Sequence, residues 1–289
     1  MHEKKFWFGN VLARNFDRES CILTINYNIN GKSWSIDLKE KILDFSCSHN
    51  YVTVATTNSI HVLRLDFPRL AYRCEKDNLV FIRYSPLFVN ESSEVREEVP
   101  WSPEGTLLTS TSRATYLVTS DSSSSVIKRL FFDAELAEYG IFNVSLVQFP
   151  YDSSILSIAS GHDHTLLLTN EGTLFSFGTG NHGELGLLDT LSISEPTIVY
   201  AFEGLRIKKI AAGGWHSLAL TDSNDVYVWG WNIKGQLGDE VEDIESLPAP
   251  LSIDHEVIDI EARECYTQIT IRNENGATSV LTYGIDISF

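Results

Sequence analysis

Cysteine is scarce in this sequence, and long apolar runs are absent from it. The four cysteines stand singly, with no paired spacing, at Cys21, Cys47, Cys74 and Cys265. This pattern argues against a disulfide framework or a zinc site and predicts reduced thiols in a nuclear or cytoplasmic protein. No apolar run approaches about eighteen residues, and no cationic stretch leads into an apolar segment near the first residue, which argues against membrane insertion and secretion.

Basic residues are scarce in the second half of the chain. Residues 1–150 contain 16 basic and 18 acidic side chains, and subtracting these from the totals of 22 and 39 leaves 6 and 21 for residues 151–289. Because DNA is bound through Lys and Arg, we expect no direct DNA binding there and favour a basic protein partner. A partner-binding role is predicted for Asp239, Glu240, Glu242, Asp243 and Glu245; a solvated loop that only aids solubility is the alternative.

What the sequence does contain is an internal repeat. Residues 158–168, IASGHDHTLLL, recur at residues 210–220 as IAAGGWHSLAL, and a shift of 52 positions keeps nearly thirty residues in register. A fixed period of this size indicates a repeat architecture. The repeated framework positions are Gly161, His164, Gly178, Gly183 and Gly186 in the first copy and Gly213, His216, Gly230, Gly235 and Gly238 in the second.

Each copy has the pattern of a β-sheet unit. Two short apolar or aromatic runs flank turn residues and form a predicted hairpin, followed by a glycine-rich loop and a proline-containing connection. Four strands with their connections need about 44 residues, so a 52-residue period holds a four-stranded blade. The best-formed repeats are predicted at 158–208 and 210–260.

The histidines and serines of the repeat suggest a catalytic pair or a metal site, but their positions favour neither. Ser217 follows His216, but adjacent strand residues point to opposite faces, so the histidine is badly placed to act as its base. His162 and His164 have a spacing that could chelate a metal, yet position 162 becomes Gly214 in the second copy. We therefore predict framework histidines that hydrogen-bond the backbone of a neighbouring turn, with no catalytic set, metal or cofactor.

Two tryptophans occupy positions that do not repeat. Trp215 and Trp231 are replaced by aspartate and threonine in the first copy, so the framework does not require them. Large aromatic side chains in loops are typical of a partner-binding hot spot, with filling of a sheet interface as the alternative. Trp229, by contrast, corresponds to Phe177 and is predicted to be core.

The segments ASGHDHTLLLTNEGTLFSFGTGNHGELG and AAGGWHSLALTDSNDVYVWGWNIKGQLG resemble the regulator-of-chromosome-condensation repeat. The resemblance implies an all-β fold, a β-propeller of four-stranded blades. Dividing the chain by the period gives about six blades, with seven as the alternative. Degenerate copies of the repeat are predicted from Phe45, with Tyr51 at the histidine position, and near the C-terminus, with Tyr266 at the histidine position. Residues 64–150 show strand-like pieces without a clear signature.

On this interpretation residues 1–289 form a single propeller domain. The N-terminal FWFGN, residues 6–10, is predicted to join the C-terminal blade and close the ring, which would shield exposed sheet edges. Residues 90–105 are polar enough to be a flexible insertion.

Within this family, the sequence looks most like the member that partners a JmjC-type oxygenase. That resemblance implies a nuclear, non-catalytic adaptor, found also in the cytoplasm and monomeric by itself. It implies binding to a Fe(II)/2-oxoglutarate-dependent enzyme of the histone lysine demethylase type, in chromatin regulation and chromosome segregation, with histone tails as further basic partners. The alternative is a guanine-nucleotide exchange factor for a Ran-like small GTPase, as in the founding member, although the basic tail and arginine-rich loop of that protein are missing here. An enzyme in its own right is the third hypothesis.

Overall fold

The protein consists almost entirely of β-strands. The structure, a computed structural model, describes residues 2–5, 11–15, 21–27, 32–48, 51–57, 60–64, 81–84, 89–90, 96–97, 105–120, 123–131, 143–239 and 242–285. Strands make up most of these residues, and the short 3-10 turn Tyr200–Phe202 is the one helix among them. The all-β prediction is confirmed.

The described residues fall into two compact units, the first ending at Val147. Its first sheet contains β1 (His2–Lys5), β2 (Val11–Asn15), β3 (Ile22–Tyr27) and β4 (Lys32–Asp37). Its second contains β5 (Ile42–Cys47), β6 (Tyr51–Thr56), β7 (Ile60–Arg64) and β8 (Phe81–Tyr84). A two-stranded ribbon of β9 (Val89–Asn90) and β10 (Arg96–Glu97) follows, and then a sheet of β11 (Leu107–Ser110), β12 (Ala114–Ser120), β13 (Ser125–Phe131) and β14 (Asn143–Val147).

The second unit begins at Gln148 and contains both strong repeats. The first repeat sheet contains β15 (Ile155–Ser160), β16 (His164–Thr169), β17 (Leu174–Gly178) and β18 (Ile193–Ile198). The second repeat sheet contains β19 (Ile207–Ala212), β20 (His216–Thr221), β21 (Val226–Trp231) and β22 (Ile244–Leu251). The last sheet contains β23 (Glu256–Ala262), β24 (Tyr266–Arg272) and β25 (Thr278–Gly284).

Every sheet is an antiparallel meander in which strands that follow one another along the chain also pair. The strands that begin with the repeat histidines, β16 and β20, are buried along their whole length, because each lies inside its sheet and packs on both faces. Alternation along the strand divides their side chains between two cores. Ala219 belongs to the core shared with the first repeat sheet, whereas Leu218 and Leu220 belong to the core shared with the last sheet.

The described residues contain five four-stranded sheets and one three-stranded sheet besides the ribbon, which agrees with the predicted six blades. Residues 6–10, predicted to close the ring, lie outside the described residues, so that closure stays a prediction. Within the predicted insertion at 90–105, β9 and β10 pair antiparallel. The described part of the chain contains no helix long and apolar enough to cross a membrane.

The degenerate copies predicted from Phe45 and near the C-terminus have the expected strands. In the first, β5 and β6 pair with Cys47 opposite Val52. In the last sheet, Tyr266 pairs with Gly284, as His216 pairs with Gly230 in the second repeat sheet. A further copy that the sequence analysis missed lies in β11–β14, where Ala114 occupies the histidine position.

Candidate protein-binding site

The site is built on a tight turn between the first two strands of each sheet in the second unit. The amide of Gly161 donates to the carbonyl of His164 at 3.0 Å, and that of Gly213 donates to His216 at 2.8 Å. Neighbouring turns are linked, because the amide of His162 donates to the carbonyl of Gly214 at 2.8 Å. We call this the loop end of the unit, defined by residues 161–163, 213–215 and 263–265.

At two framework positions of the loop end, the backbone of the next sheet comes too close for any residue larger than glycine. A Cβ on Gly161 would lie 2.1 Å from the carbonyl oxygen of Gly213, and one on Gly213 would lie 2.2 Å from that of Arg263. Six other predicted framework glycines have a positive φ that a side chain rarely adopts, namely Gly178, Gly183, Gly186, Gly230, Gly235 and Gly238.

The repeat histidines lie at equivalent places in separate sheets, and both are fully buried. His164 Nε2 lies 2.9 Å from Ser217 Oγ, and His216 Nε2 lies 3.0 Å from Thr267 Oγ1. Each histidine thus contacts a hydroxyl of the next sheet, and the predicted backbone contact is also present, from His164 to the backbone of His216 and from His216 to that of Tyr266. Burial lowers the pKa of both imidazoles to about 3, so they are neutral at physiological pH.

The hydroxyl of Ser217 links the two repeats. It donates to the carbonyl of Glu184 at 2.8 Å, and since a serine has one hydroxyl proton, His164 Nε2 must be the donor to Ser217. The indole Nε1 of Trp229 donates to the same carbonyl at 2.9 Å, and the Trp229 side chain is fully buried. Two buried donors, Ser217 and Trp229, therefore fix the backbone carbonyl of Glu184, and buried His164 holds Ser217 in place.

The two predicted tryptophans come together at the loop end with two histidines. Trp215 stacks on His162, with ring centroids 4.7 Å apart and planes 13° apart, and meets Trp231 edge-on at 5.5 Å. His182 lies 4.7 Å from Trp231 and 6.0 Å from Trp215. All four side chains are partly exposed. We call this group of four rings the aromatic corner.

Carboxyl groups adjoin the aromatic corner. Asp163 Oδ2 lies 3.5 Å from His162 Nδ1, and Glu184 Oε1 lies 3.8 Å from His182 Nδ1. Burial raises the pKa of Glu184 to about 7, an effect opposed by hydrogen bonds from its own amide and that of His182. Burial also raises the pKa of Glu264 and lowers that of His182. The partly exposed acids Asp163 and Glu264 and the buried acid Glu184 therefore all lie close to the rings.

The predicted acidic loop follows the aromatic corner along the chain. Trp231, the last residue of β21, pairs with Ile244 at the start of β22, so the loop between them lies at the loop end. Asp239, Glu242 and Asp243 are exposed and Glu245 is partly so; Glu240 lies outside the described residues. The loop is anchored where the amide of Asn232 donates to the carbonyl of Asp243 at 2.8 Å.

The sequence predicted both tryptophans of the aromatic corner as site residues. It did not predict His182 or Glu184, and it suggested His162 only as a metal ligand. The available signal was non-repetition: these positions are Lys234, Gln236 and Gly214 in the second copy. Among the described residues, no group of three or more His, Cys, Asp or Glu could hold a metal ion.

Sequence comparison identifies the repeats. Residues 155–184 and 207–236 match one family model of the regulator of chromosome condensation (RCC1) repeat, and residues 171–220 match a second. RCC1 domain-containing protein 1 of Mus musculus is 49 % identical over 77 residues, which are 27 % of this chain and 20 % of that protein. The chain thus aligns with about a fifth of this curated relative.

Structural comparison extends the likeness beyond the strong repeats. Human WBSCR16 has a TM-score of 0.64 and 17 % identity, with 89 % of this chain and 66 % of that one covered. Prp20p of Saccharomyces cerevisiae has a TM-score of 0.62 and 16 % identity, with 96 % and 68 % covered. At such identities the likeness shows the fold alone. The sequence matches thus identify residues 155–184 and 207–236 as RCC1 repeats, and the structural matches show a fold like that of these two proteins.

Proposed function

We propose that this protein is a non-catalytic β-propeller adaptor that binds a protein partner through the aromatic corner and the adjoining acidic loop. The observation that carries the proposal is the meeting of Trp215 and Trp231, two tryptophans that the repeat does not require, on one partly exposed surface. Aromatic side chains in such positions dominate binding energy in many interfaces. An RCC1-like fold supports a role in protein binding or nucleotide exchange.

The partner we propose is a JmjC-type Fe(II)/2-oxoglutarate-dependent oxygenase of the histone lysine demethylase type. Support comes from the sequence resemblance described above and from the 49 % identity to RCC1 domain-containing protein 1 of Mus musculus over 77 residues. The proposed setting is nuclear, in chromatin regulation and chromosome segregation. The strong negative charge of residues 151–289 also suits basic protein segments such as histone tails.

The test is capture of a JmjC-type oxygenase from nuclear extract by the immobilised full chain, identified by mass spectrometry and then repeated with the purified oxygenase. We expect Trp231→Ala to weaken the complex about tenfold or more, as loss of a hot-spot aromatic does. Joint neutralisation by Asp239→Asn, Glu242→Gln and Asp243→Asn should weaken it mainly through slower association, an effect that grows at low salt.

The matched controls lie at the opposite end of the same sheets. Tyr200→Ala removes an aromatic side chain that is 68 % exposed, and Glu171→Gln with Glu203→Gln removes exposed charge there. Neither change should alter the complex. Binding that is insensitive to Trp231→Ala would contradict the proposal, and accelerated nucleotide release from a Ran-like GTPase by the free chain would replace it with the exchange-factor alternative.

A further inference from the structure

The aromatic corner contains a carboxyl group that the repeat framework does not need. The amide of His182 donates to Glu184 Oε2 at 2.6 Å, and at the same place in the second repeat the amide of Lys234 donates to Gln236 Oε1 at 2.9 Å. A neutral side-chain amide therefore satisfies this turn as well as a carboxyl does. The charge that Glu184 can carry is an addition specific to the first repeat.

The second oxygen of this carboxyl lacks a hydrogen-bond partner in the structure. Glu184 is fully buried, and its Oε1 lies among the buried polar atoms without a hydrogen bond. His182 Nδ1, also without one, lies 3.8 Å away, too far for a hydrogen bond. An unsatisfied buried acceptor costs about 1–3 kcal/mol, so a fold that retains one calls for an explanation.

A side chain of the aromatic corner lies beside this oxygen. The His182 ring, whose side chain is 30 % exposed, has its centroid 4.7 Å from that of Trp231 and 6.0 Å from that of Trp215, and its Nδ1 lies 3.8 Å from Glu184 Oε1. Because Glu184 is fully buried, a ligand would reach its Oε1 only if the neighbouring His182 side chain rotated aside. The backbone of Glu184 stays in place during that rotation because Ser217 and Trp229 hold its carbonyl.

We infer that the aromatic corner binds a cationic side chain, an arginine or lysine of a partner polypeptide, with the carboxylate of Glu184 as its counter-ion. Indole rings attract cations placed over or beside them, and a guanidinium both stacks on such rings and forms two parallel hydrogen bonds with a carboxylate. The excess of acidic over basic residues in 151–289, 21 against 6, gives the charge complementarity. The inference deepens the proposed function because it assigns the chemistry of the docked segment.

Binding of a cation beside Glu184 should release the proton of its carboxyl group. Glu184 is largely protonated below neutral pH, because burial raises its pKa to about 7, and a cation beside it favours the ionised form. The titratable groups that face it are His182 on its own loop and Asp163 on the neighbouring turn. His162 and Glu264 adjoin them. Binding at pH 6 should therefore release close to one proton, and binding at pH 8.5 close to none.

The test uses the full chain and three synthetic eight-residue peptides that alternate glycine with arginine, lysine or citrulline. Citrulline has the shape of arginine without its charge. Calorimetry in two buffers of different ionisation enthalpy gives affinity and proton release, and tryptophan fluorescence reports the aromatic corner. We expect the arginine and lysine peptides to bind and the citrulline peptide to bind at least about tenfold more weakly, as the loss of a charge-assisted pair implies.

The decisive variant is Glu184→Gln, which places in the first repeat the residue that the second repeat already has. We expect it to fold, to bind the arginine peptide about tenfold more weakly and to release no proton at pH 6. Trp231→Ala should weaken binding without abolishing proton release, and Tyr200→Ala should change neither. Equal binding of the citrulline peptide, or unchanged affinity and proton release in Glu184→Gln, would overturn the inference.

This outcome is separable from that of the proposed function. If the peptides fail to bind while capture of the oxygenase depends on Trp231, the adaptor proposal stands and the cation site falls. If the peptides bind through Glu184 while capture is insensitive to Trp231→Ala, the cation site stands and the adaptor proposal falls.

Discussion

The first and second repeat sheets use the same hydrogen bonds at positions 52 residues apart and present different side chains at the loop end. Each has a glycine turn closed onto a buried histidine, and the histidine contacts a hydroxyl of the next sheet. Outside that framework the first repeat contributes His162, His182 and Glu184, whereas the second contributes Trp215 and Trp231. The candidate site therefore needs both repeats, and each supplies what the other lacks.

This difference separates positions whose residue type is set by packing from positions whose residue type can serve binding. Positions that repeat are those where backbone approaches backbone or a buried polar group needs its partner, so their chemistry is fixed by packing. The rings at positions that differ are partly exposed, and Glu184 is buried beside them, so these positions can serve binding without disturbing the framework. If the framework is equivalent in the two repeats, the same substitution should have the same effect in each.

The largest effect is expected for Gly161→Ala and Gly213→Ala. Each new Cβ would lie about 2 Å from a backbone carbonyl oxygen of the next sheet, a clash that only a backbone shift can relieve. We expect a loss of about 3 kcal/mol in the free energy of unfolding for each variant, measured by urea denaturation. A variant that loses less than about 1 kcal/mol would show that the two turns are not equivalent. Gly204→Ala, where an added Cβ contacts nothing within 4 Å but φ is positive, controls for backbone strain alone.

A smaller effect is expected on the acid side of the stability profile. The pKa of His164 and of His216 is lowered to about 3 in the folded protein, so the unfolded state binds protons first as the pH falls. Each histidine contributes stability above pH 6.5 that is lost at about 1.4 kcal/mol per pH unit below it. At pH 5 the loss approaches about 2 kcal/mol for each.

Comparison with His164→Gln and His216→Gln isolates this contribution. Each variant loses one titrating imidazole, so its unfolding free energy should fall less steeply between pH 6.5 and pH 5 than that of the wild type, and by the same amount in both. Slopes that match the wild type would mean that these imidazoles are protonated in the folded state.

The smallest effect is expected for Trp229→Phe. The first repeat already has Phe177 at the equivalent position, so a phenyl ring suits the framework, and the lost indole donor leaves the Glu184 carbonyl with its bond from Ser217. We expect a loss of about 1 kcal/mol in thermal or urea unfolding. Phe177→Leu, a matched truncation in the first repeat, serves as the control. A loss above about 3 kcal/mol would show that the indole bond holds the two repeats together.

The strands could be predicted from the sequence wherever the repeat signature survives, and one copy shows why the rest was missed. In β11 and β12 the turn closes from Thr111 to Ala114 at 2.9 Å, as it does from Gly161 to His164. Ser110 and Thr115 are hydrogen-bonded at 2.8 Å, like Ser160 and Thr165 in the first repeat sheet. Loss of the glycine and the histidine removes the visible signature, while the shared hydroxyl pair preserves the geometry.

The repeat, the all-β fold class, the framework glycines and histidines and the two tryptophans that the framework does not explain can all be recognised in the amino-acid sequence, because a fixed period records the packing that every sheet shares. The contacts of these tryptophans with His162 and His182, and the burial of Glu184 beside them with an unpartnered oxygen, emerge from the folded structure. These residues come from different loops, and their distances depend on how neighbouring sheets pack. A one-dimensional pattern does not encode that packing.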